Sequence, residues 1–586
     1  MGTPDQIRTL ADIAPFWARA APGRTALQEL GPDGKLTGCS YGELMRRCDA
    51  LAACLHERGA GPGRAVAILQ PNSSRWVTSY LSIFRVGAVA VPLEYGMLGT
   101  EPERIRYALE HSEAEIVLCE PGEADAVRQL SPAQIISPGG TGRQPPPQPA
   151  LSPDDTAQIL YTSGTTGPKK GVVLTHGNII FDVRACCDRF GVRASDALCA
   201  VLPLHHAYPL TTTLVLPLYA GARMAIGDIR DRRSRALLQQ ARPTVMIGVP
   251  RMYEAMLDSI RHAADRAGKL DRLERAMRLS ARVKRLSGVN VGRLLFRKLH
   301  AELFGGLQLR LAASGGARVS PRLLRDYFLL GIPLLQGWGM SELSPVGAVQ
   351  AFRPVRFYAT RHYERKAGSI GAPLDGTRVT FGQSSVAELA FDLEHTGEML
   401  VSGPHVMRGY HKDPARTAGQ MTGDALRTGD IARRDQDGDL YIVGRAKHVI
   451  VLPSGKKVFP EEELEEEVSS CRTIEEFAIR PIADEDGQEG IGMVIRPNLE
   501  ALAGVRTVGE LYDAVKRDID EALRSKPIYL KHYDFCLTPW RGDEFGELVK
   551  GTMGDPSPLR NTFDPEAAYS RLKGSQQPVP WRKTEA

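Results

Sequence analysis

The run Ala157-Gln158-Ile159-Leu160-Tyr161 leads straight into Thr162-Ser163-Gly164-Thr165-Thr166-Gly167-Pro168-Lys169-Lys170-Gly171. Its first five residues read as a strand, and the glycines and proline behind them end it. Glycine permits backbone conformations in which successive N–H groups converge on an anion, and the hydroxyls of Thr162, Ser163, Thr165 and Thr166 add donors. Lys169 and Lys170 place positive charge at the exit of the loop. The spacing differs from the G-x-x-x-x-G-K-[ST] phosphate loop, because Gly164 to Gly171 does not supply that pattern. The loop reads either as an ordinary turn or as a phosphate-binding turn of another kind.

Upstream of this loop, helical and strand-like runs alternate. Leu44 to Arg58 and Trp76 to Val86 have helical periodicity, while Ala65–Leu69, Ala88–Pro92 and Ala114–Leu118 are short apolar strands. Such alternation predicts a parallel α/β architecture. The proline- and glycine-rich stretch from Pro138 to Pro153 is too broken for regular structure and reads as a surface connection. At 586 residues the chain exceeds the size of a single growing core, so at least two domains are expected. A composition change at Gly438 to Lys457, followed by the acidic run Glu461 to Glu467, puts the main boundary near Lys447.

Four further residues bear on chemistry. Glu342 is a carboxylate suited to Mg²⁺, an ion that bridges phosphates while taking one or two protein carboxylates. Trp338 offers a flat face to a base, Asp430 can accept from two vicinal hydroxyls, and Arg445 can donate to the same group. Each also has an ordinary structural reading: Trp338 as core, Glu342 as a helix cap, Asp430 as a turn residue.

Taken in order, these stretches carry a resemblance. Tyr161 to Gly171 is similar to the phosphate-loop signature of the adenylate-forming superfamily of acyl-CoA synthetases, luciferases and peptide-synthetase adenylation domains. Pro203-Leu204-His205-His206-Ala207-Tyr208 resembles that family's carboxylate-side motif, with His206 at the acyl pocket. Ser314-Gly315-Gly316-Ala317 resembles its adenine-contacting turn. Gly337-Trp338-Gly339-Met340-Ser341-Glu342 resembles its aromatic-G-x-T-E block, and Thr428-Gly429-Asp430 its ribose block. Gly444-Arg445-Ala446-Lys447 resembles its hinge block, with Lys447 as the pivot. The resemblance covers roughly residues 10 to 550.

What it implies is an AMP-forming acid–thiol ligase using ATP, Mg²⁺ and coenzyme A. The implied fold is α/β. A large N-terminal domain of several subdomains, residues 1–445, would hold ATP and the acyl pocket and include a β-rich piece near 366–440. A small mobile α+β lid domain would occupy 446–586. Cofactor binding is expected at Thr162 to Gly167, Lys170, Gly315 to Ala317, Gly337 to Ser341, Asp430 and Arg445. Catalysis is expected at His206, Glu342 and Lys550, with Glu342 as metal ligand.

The pattern around Thr244 to Arg251 resembles the long-chain fatty acid–CoA ligases. There Gly248 and Val249 are pocket candidates, Gly248 giving an apolar tail room to pass. Ala207 to Leu210 supplies no aspartate for an ammonium group, which disfavours a free amino acid as substrate. A medium- or long-chain fatty acid is therefore expected. The final motif departs from the family: in Pro539 to Lys550 the simplest alignment sets Gly546-Glu547 on the usual Gly-Lys. A carboxylate there would repel both the substrate carboxylate and phosphate by on the order of several kcal/mol at 4 Å in a partly shielded site, and Lys550 is the lysine that could take the role. Two alternatives stay open: an acyl-AMP ligase serving an acyl carrier protein, and a degenerate reader of nucleotide or acyl-adenylate acting as a regulator.

Bulk properties narrow the partners. The net charge of +5 in a chain this long argues against nucleic acid. Nine scattered cysteines without C-x-x-C pairs predict reduced thiols and a cytoplasmic setting. No run approaches the ~18 apolar residues of a membrane span. Residues 261–298 are helical in pattern, and 261–300 carry a net charge of +9, read either as a solvated face or as a peripheral contact with anionic lipid.

Overall fold

The computed structural model describes residues 6–136, 147–162, 169–351, 365–383, 394–454, 456–483, 489–498, 501–502, 504–505 and 508–537. Ser163 to Pro168, Glu547 and Lys550 lie outside these residues.

A seven-stranded sheet carries the phosphate-loop hairpin. Its order is Gly409–Tyr410, Lys170–Thr175, Thr156–Thr162, Val89–Pro92, Ala65–Leu69, Ile116–Cys119 and Gln134–Ile136. The last five strands in that order run parallel, and the first two pair antiparallel. Ala65–Leu69, Val89–Pro92 and Ile116–Cys119 are buried along their whole length, as parallel strands covered on both faces must be. The covering helices start where the sequence supplies caps. Ser40 accepts from Glu43 N to open Tyr41–Glu57, and Ser73 accepts from Trp76 N to open Ser74–Arg85.

A second sheet brings Val245–Gly248, Leu311–Ser314 and Leu334–Gly339 together in parallel, then adds Val346–Val349 and Ala372–Pro373 antiparallel. An antiparallel group of Arg378–Gly382, Thr396–Ser402, Ala425–Arg434, Met421–Thr422 and Leu440–Arg445 follows. It is the expected β-rich piece. From Ile450 onward a separate apolar cluster forms, with Ile479, Met493, Val515, Ile519 and Phe535 at its centre. It packs the helix Val508–Ala522 against the sheet of Ile474–Ala483, Glu489–Pro497 and Tyr533–Leu537.

The helical stretch expected over 261–298 is broken into pieces. Pro250–Arg266 and Leu270–Ser287 are separate helices, and Gly292–Leu295 and Arg297–Phe304 are short ones. Gly268 and Gly288 adopt positive φ of 64° and 73° at the breaks, a conformation that ends a helix cheaply only at glycine. The cysteines whose side chains are described are all free, Cys186 and Cys187 included. No described helix is long and apolar enough to cross a membrane.

One buried histidine ties the N-terminus to the main core. His176, 1% exposed, accepts from Leu10 N through Nδ1 at 3.3 Å and meets the Phe84 ring edge-on. Burial drives its pKa down to about 4. The folded state thus holds the neutral ring, while an unfolded histidine titrates near 6.5. This contribution is fully present above pH 6.5 and is lost as pH falls from 6.5 towards 4, by about 3 kcal/mol. Urea titrations at pH 7.5 and 5 should show a smaller acid loss for His176→Gln than for the wild type. An equal loss would place the acid sensitivity elsewhere.

Candidate active site

The hairpin that presents the phosphate loop is in register, with Tyr161 opposite Gly171 and Thr162 opposite Lys170. Thr162 Oγ1 is buried and has no hydrogen-bond partner among the described residues. A buried hydroxyl is normally paired, so this orphan suits a site whose acceptor arrives with a ligand. Lys170 turns inward. Its Nζ lies 3.0 Å from Tyr410 Oη and 3.4 Å from Glu342 Oε1. Tyr410 in turn donates to Glu342 Oε1 at 2.7 Å. Burial, then the adjacent Glu342 carboxylate, push the Tyr410 phenol upward, so it stays a donor.

Glu342 is buried in the short turn Ser341–Leu343 behind the strand Leu334–Gly339, and its carbonyl accepts from Met407 N at 2.8 Å. Both side-chain partners engage Oε1. The described residues contain no group of three or more His, Cys, Asp or Glu able to hold a metal. One buried hard oxygen donor fits Mg²⁺ held chiefly by phosphate and water, rather than a protein cage.

The second cluster sits on Asp430, 3% exposed. Trp338 Nε1 donates to its Oδ2 at 2.8 Å, and Arg445 Nε lies 2.7 Å from Oδ1. Asp430 and Arg445 are register partners on adjacent strands, which is why two residues fifteen apart in sequence meet. Burial pushes the Asp430 carboxyl above its usual range in spite of Arg445 and the indole.

Trp338 of the second cluster and Ser341, next to Glu342 in the chain, both line a cavity of about 310 Å³. Gly315, Gly316, Gly337, Trp338, Gly339, Met340, Ser341 and His206 all line it, with Phe190, Ile247 and Val349 supplying apolar wall. The glycines are needed sterically: a Cβ on Gly315 would stand 2.9 Å from the Tyr208 ring, and one on Gly339 1.8 Å from Pro345 O. Tyr208 is fixed by its hydroxyl, which donates to Gly248 O at 3.1 Å. His206 lies beside His205, the rings tilted at 50° with centroids 4.1 Å apart. Burial, then His206 and Lys169, hold His205 down to about 2, so that ring is neutral.

Other expected residues stand further off. Ala317 is exposed and does not line the cavity. Val249 caps the helix Pro250–Arg266 and faces Gly316. The room expected beside Gly248 is occupied: Met252 Cε would lie 1.9 Å from a Cβ there. Glycine at 248 therefore serves the packing of that helix against its strand, and an open passage for a tail does not exist at this point. Lys447 is exposed in the turn Ala446–His448, beside the bond from His448 to Glu461 at 2.7 Å. Tyr410 and Tyr208 were not among the expected site residues. For Tyr410 only its neighbours in the fold, not its spacing, give it a place, while Tyr208 closes the motif read at Pro203 to Tyr208.

Residues 16–411 match the AMP-binding enzyme family. The chain belongs to that family. Feruloyl-CoA synthase of an Amycolatopsis species is 29% identical over 484 residues, covering 82% of this chain and 87% of that protein. Long-chain-fatty-acid–CoA ligase 1 of Cavia porcellus is 29% identical over 507 residues, covering 78% of this chain and 70% of the relative. Among solved structures, ATP-bound MatB from Rhodopseudomonas palustris superposes with a TM-score of 0.71 at 23% identity, covering 93% of this chain and 99% of MatB. The resemblance read from the sequence is thereby borne out, as is the fold class. The expected enzyme class, an AMP-forming acyl-CoA synthetase, agrees with the family and with the names of these relatives. In this AMP-binding enzyme the matched segment holds the cavity, Lys170, Glu342 and Tyr410, while Asp430 and Arg445 lie just beyond it.

Proposed function

We propose that this AMP-binding enzyme activates a medium- or long-chain fatty acid with ATP and transfers the acyl group to coenzyme A. In the first step a carboxylate oxygen attacks the α-phosphorus, and the bond to pyrophosphate breaks. In the second the thiol sulfur attacks the acyl carbonyl, AMP leaves with the bonding pair, and the thiol proton passes to solvent. The observation that supports this reading is a cavity whose wall includes Trp338, bonded to Asp430, and Ser341, the chain neighbour of the Glu342 that Lys170 and Tyr410 engage.

Trp338 would lie against adenine, and Asp430 and Arg445 would bond the ribose hydroxyls. Thr162 to Gly167 and Lys170 would hold the β- and γ-phosphates, mainly by positioning and charge. Magnesium at Glu342 would neutralise phosphate charge. His206, at the cavity wall, would orient the acid. Lys550 is assigned to the substrate carboxylate and α-phosphate, and a boundary at 445/446 with Lys447 as pivot is assigned to the motion between the two steps. Transfer to an acyl carrier protein in place of coenzyme A is the alternative second step.

A second substrate class has specific support. Feruloyl-CoA synthase matches the chain at the same identity as the fatty-acid ligase, and Phe190, Tyr208 and Trp338 give the cavity aromatic walls. A panel of saturated C6 to C18 acids with ferulate and anthranilate, scored by thioester formation with coenzyme A, decides between them. Fatty acids should be preferred at least about tenfold in kcat/KM, the discrimination a few methylenes in an apolar pocket supply; a preference for ferulate would transfer the assignment to aromatic acids. Lys550→Ala should lose pyrophosphate release, and full activity in that variant would remove Lys550 from the mechanism.

A further inference from the structure

Six large hydrophobic side chains stand exposed among the described residues, and five of them fall between 279 and 295. They are Leu279, Leu286, Val289, Leu294 and Leu295; Leu286 is 80% exposed and Leu294 75%. Single exposed leucines need no explanation, but a concentration of this kind marks a contact surface. The same segment is strongly basic: Arg275 to His300 contains eight Lys/Arg and no Asp or Glu.

Helical geometry explains how both properties share one face. In the helix Leu270–Ser287, Leu273, Met277, Ser280 and Lys284 turn towards the body of the protein, where Met277 is core and Leu273 packs on it. Leu279 and Leu286 are seven residues apart, two turns along the opposite face, and Arg275 and Arg282 flank them at the same spacing. After Gly288 ends the helix, the short helix Gly292–Leu295 adds Leu294 and Leu295 to the same end.

This end is firmly held. Ser280 Oγ donates to Leu329 O at 3.0 Å and Asn290 Nδ2 to Phe328 O at 2.8 Å. Lys284 Nζ donates to Gly288 O at 2.8 Å, and Gly292 lies so close that a Cβ would be 2.2 Å from Leu329 O. The leucines are therefore presented outward by a fixed platform. Those anchor points lie at the C-terminal end of the helix Pro321–Leu329, whose N-terminal end follows the cavity residues Ser314 to Gly316 closely in the chain. The exposed face and the cavity are thus at opposite ends of that helix.

We infer that the face formed by Arg275, Leu279, Arg282, Leu286 and Leu294 docks on an anionic phospholipid surface. The leucines enter the headgroup–acyl boundary, and the guanidinium groups pair with lipid phosphates or carboxylates. Charge complementarity selects this occupant, since a second copy of the chain would bring a like-charged face against it. Because the face is remote from the cavity, docking concentrates the enzyme where fatty acids partition and does not thread the tail into the site. The inference extends the substrate reading but does not require it.

Co-sedimentation of the full chain with vesicles tests it. Phosphatidylcholine vesicles containing phosphatidylserine should retain the protein, pure phosphatidylcholine should not, and half-molar salt should release it. Arg275→Gln/Arg282→Gln should weaken retention by roughly fivefold per arginine. Leu286→Glu/Leu294→Glu, at sites already in water, should weaken it by at least about tenfold. Both variants should keep wild-type activity on a short soluble acid, which shows that they are folded. Equal retention by neutral vesicles would overturn the inference, as would retention indifferent to all four substitutions. So would a wild-type dimer that the leucine variant dissociates without any vesicle binding by either protein.

Discussion

Asp430→Ala is expected to lower kcat/KM for ATP in acyl-adenylate formation by about 100- to 1,000-fold. The carboxylate is buried and holds two donors at once, the Trp338 indole at 2.8 Å and Arg445 at 2.7 Å. Hydrogen bonds to charged groups are each worth about 1.5–3 kcal/mol, and every ~1.4 kcal/mol is tenfold in rate. Removing the carboxylate takes both bonds and the ribose contact assigned to it, and frees Trp338 to leave the position set by Gly347, whose missing side chain leaves room for the indole. Because a ribose contact is made equally in ground and transition states, most of the loss should appear in KM for ATP. Asp430→Asn keeps an acceptor for Trp338 and should lose only about tenfold. An Asp430→Ala enzyme with wild-type KM would remove the ribose assignment.

Glu342→Gln should cut kcat by about 10- to 100-fold and raise several-fold the Mg²⁺ concentration needed for half-maximal rate. Glutamine keeps the size of the side chain and an oxygen for Tyr410, so the fold of the Ser341–Leu343 turn is retained. It removes the buried negative charge assigned to magnesium, which now balances Lys170. Without magnesium, nucleotide binding measured by calorimetry should be unchanged or tighter, since a negative charge has left the phosphate side of the cavity. A variant with reduced kcat but unaltered Mg²⁺ dependence would restrict Glu342 to positioning Lys170.

The blocks of this site were legible in the sequence because each is local. Gly337 to Glu342 is one strand and its turn, Thr156 to Thr175 is one hairpin, and a run of buried alanine, valine and isoleucine at Ala65–Leu69 can hardly be other than a central parallel strand. What joins the blocks was not legible. Tyr410 reaches Lys170 across 240 residues because Gly409–Tyr410 pairs with Val172 and Val173, a register that no spacing announces. The misreading at Gly248 has a similar cause. A missing side chain predicts space, but the space belongs to whichever neighbour packs there, and Met252 one helical turn on takes it. The basic segment at 261–300 was visible as charge; its exposed leucines required knowing which helical face the core consumes.

Acid-dependent release of pyrophosphate from ATP by the purified full-length chain tests the account most directly. With Mg²⁺ and a fatty acid it should proceed without coenzyme A, leaving enzyme-bound acyl-adenylate, and addition of the thiol should then discharge AMP and acyl-CoA in equal amounts. Tight binding of ATP, with no acid in the panel eliciting pyrophosphate, would contradict it and leave a protein that reads nucleotide at the Trp338–Asp430 cluster without reacting it.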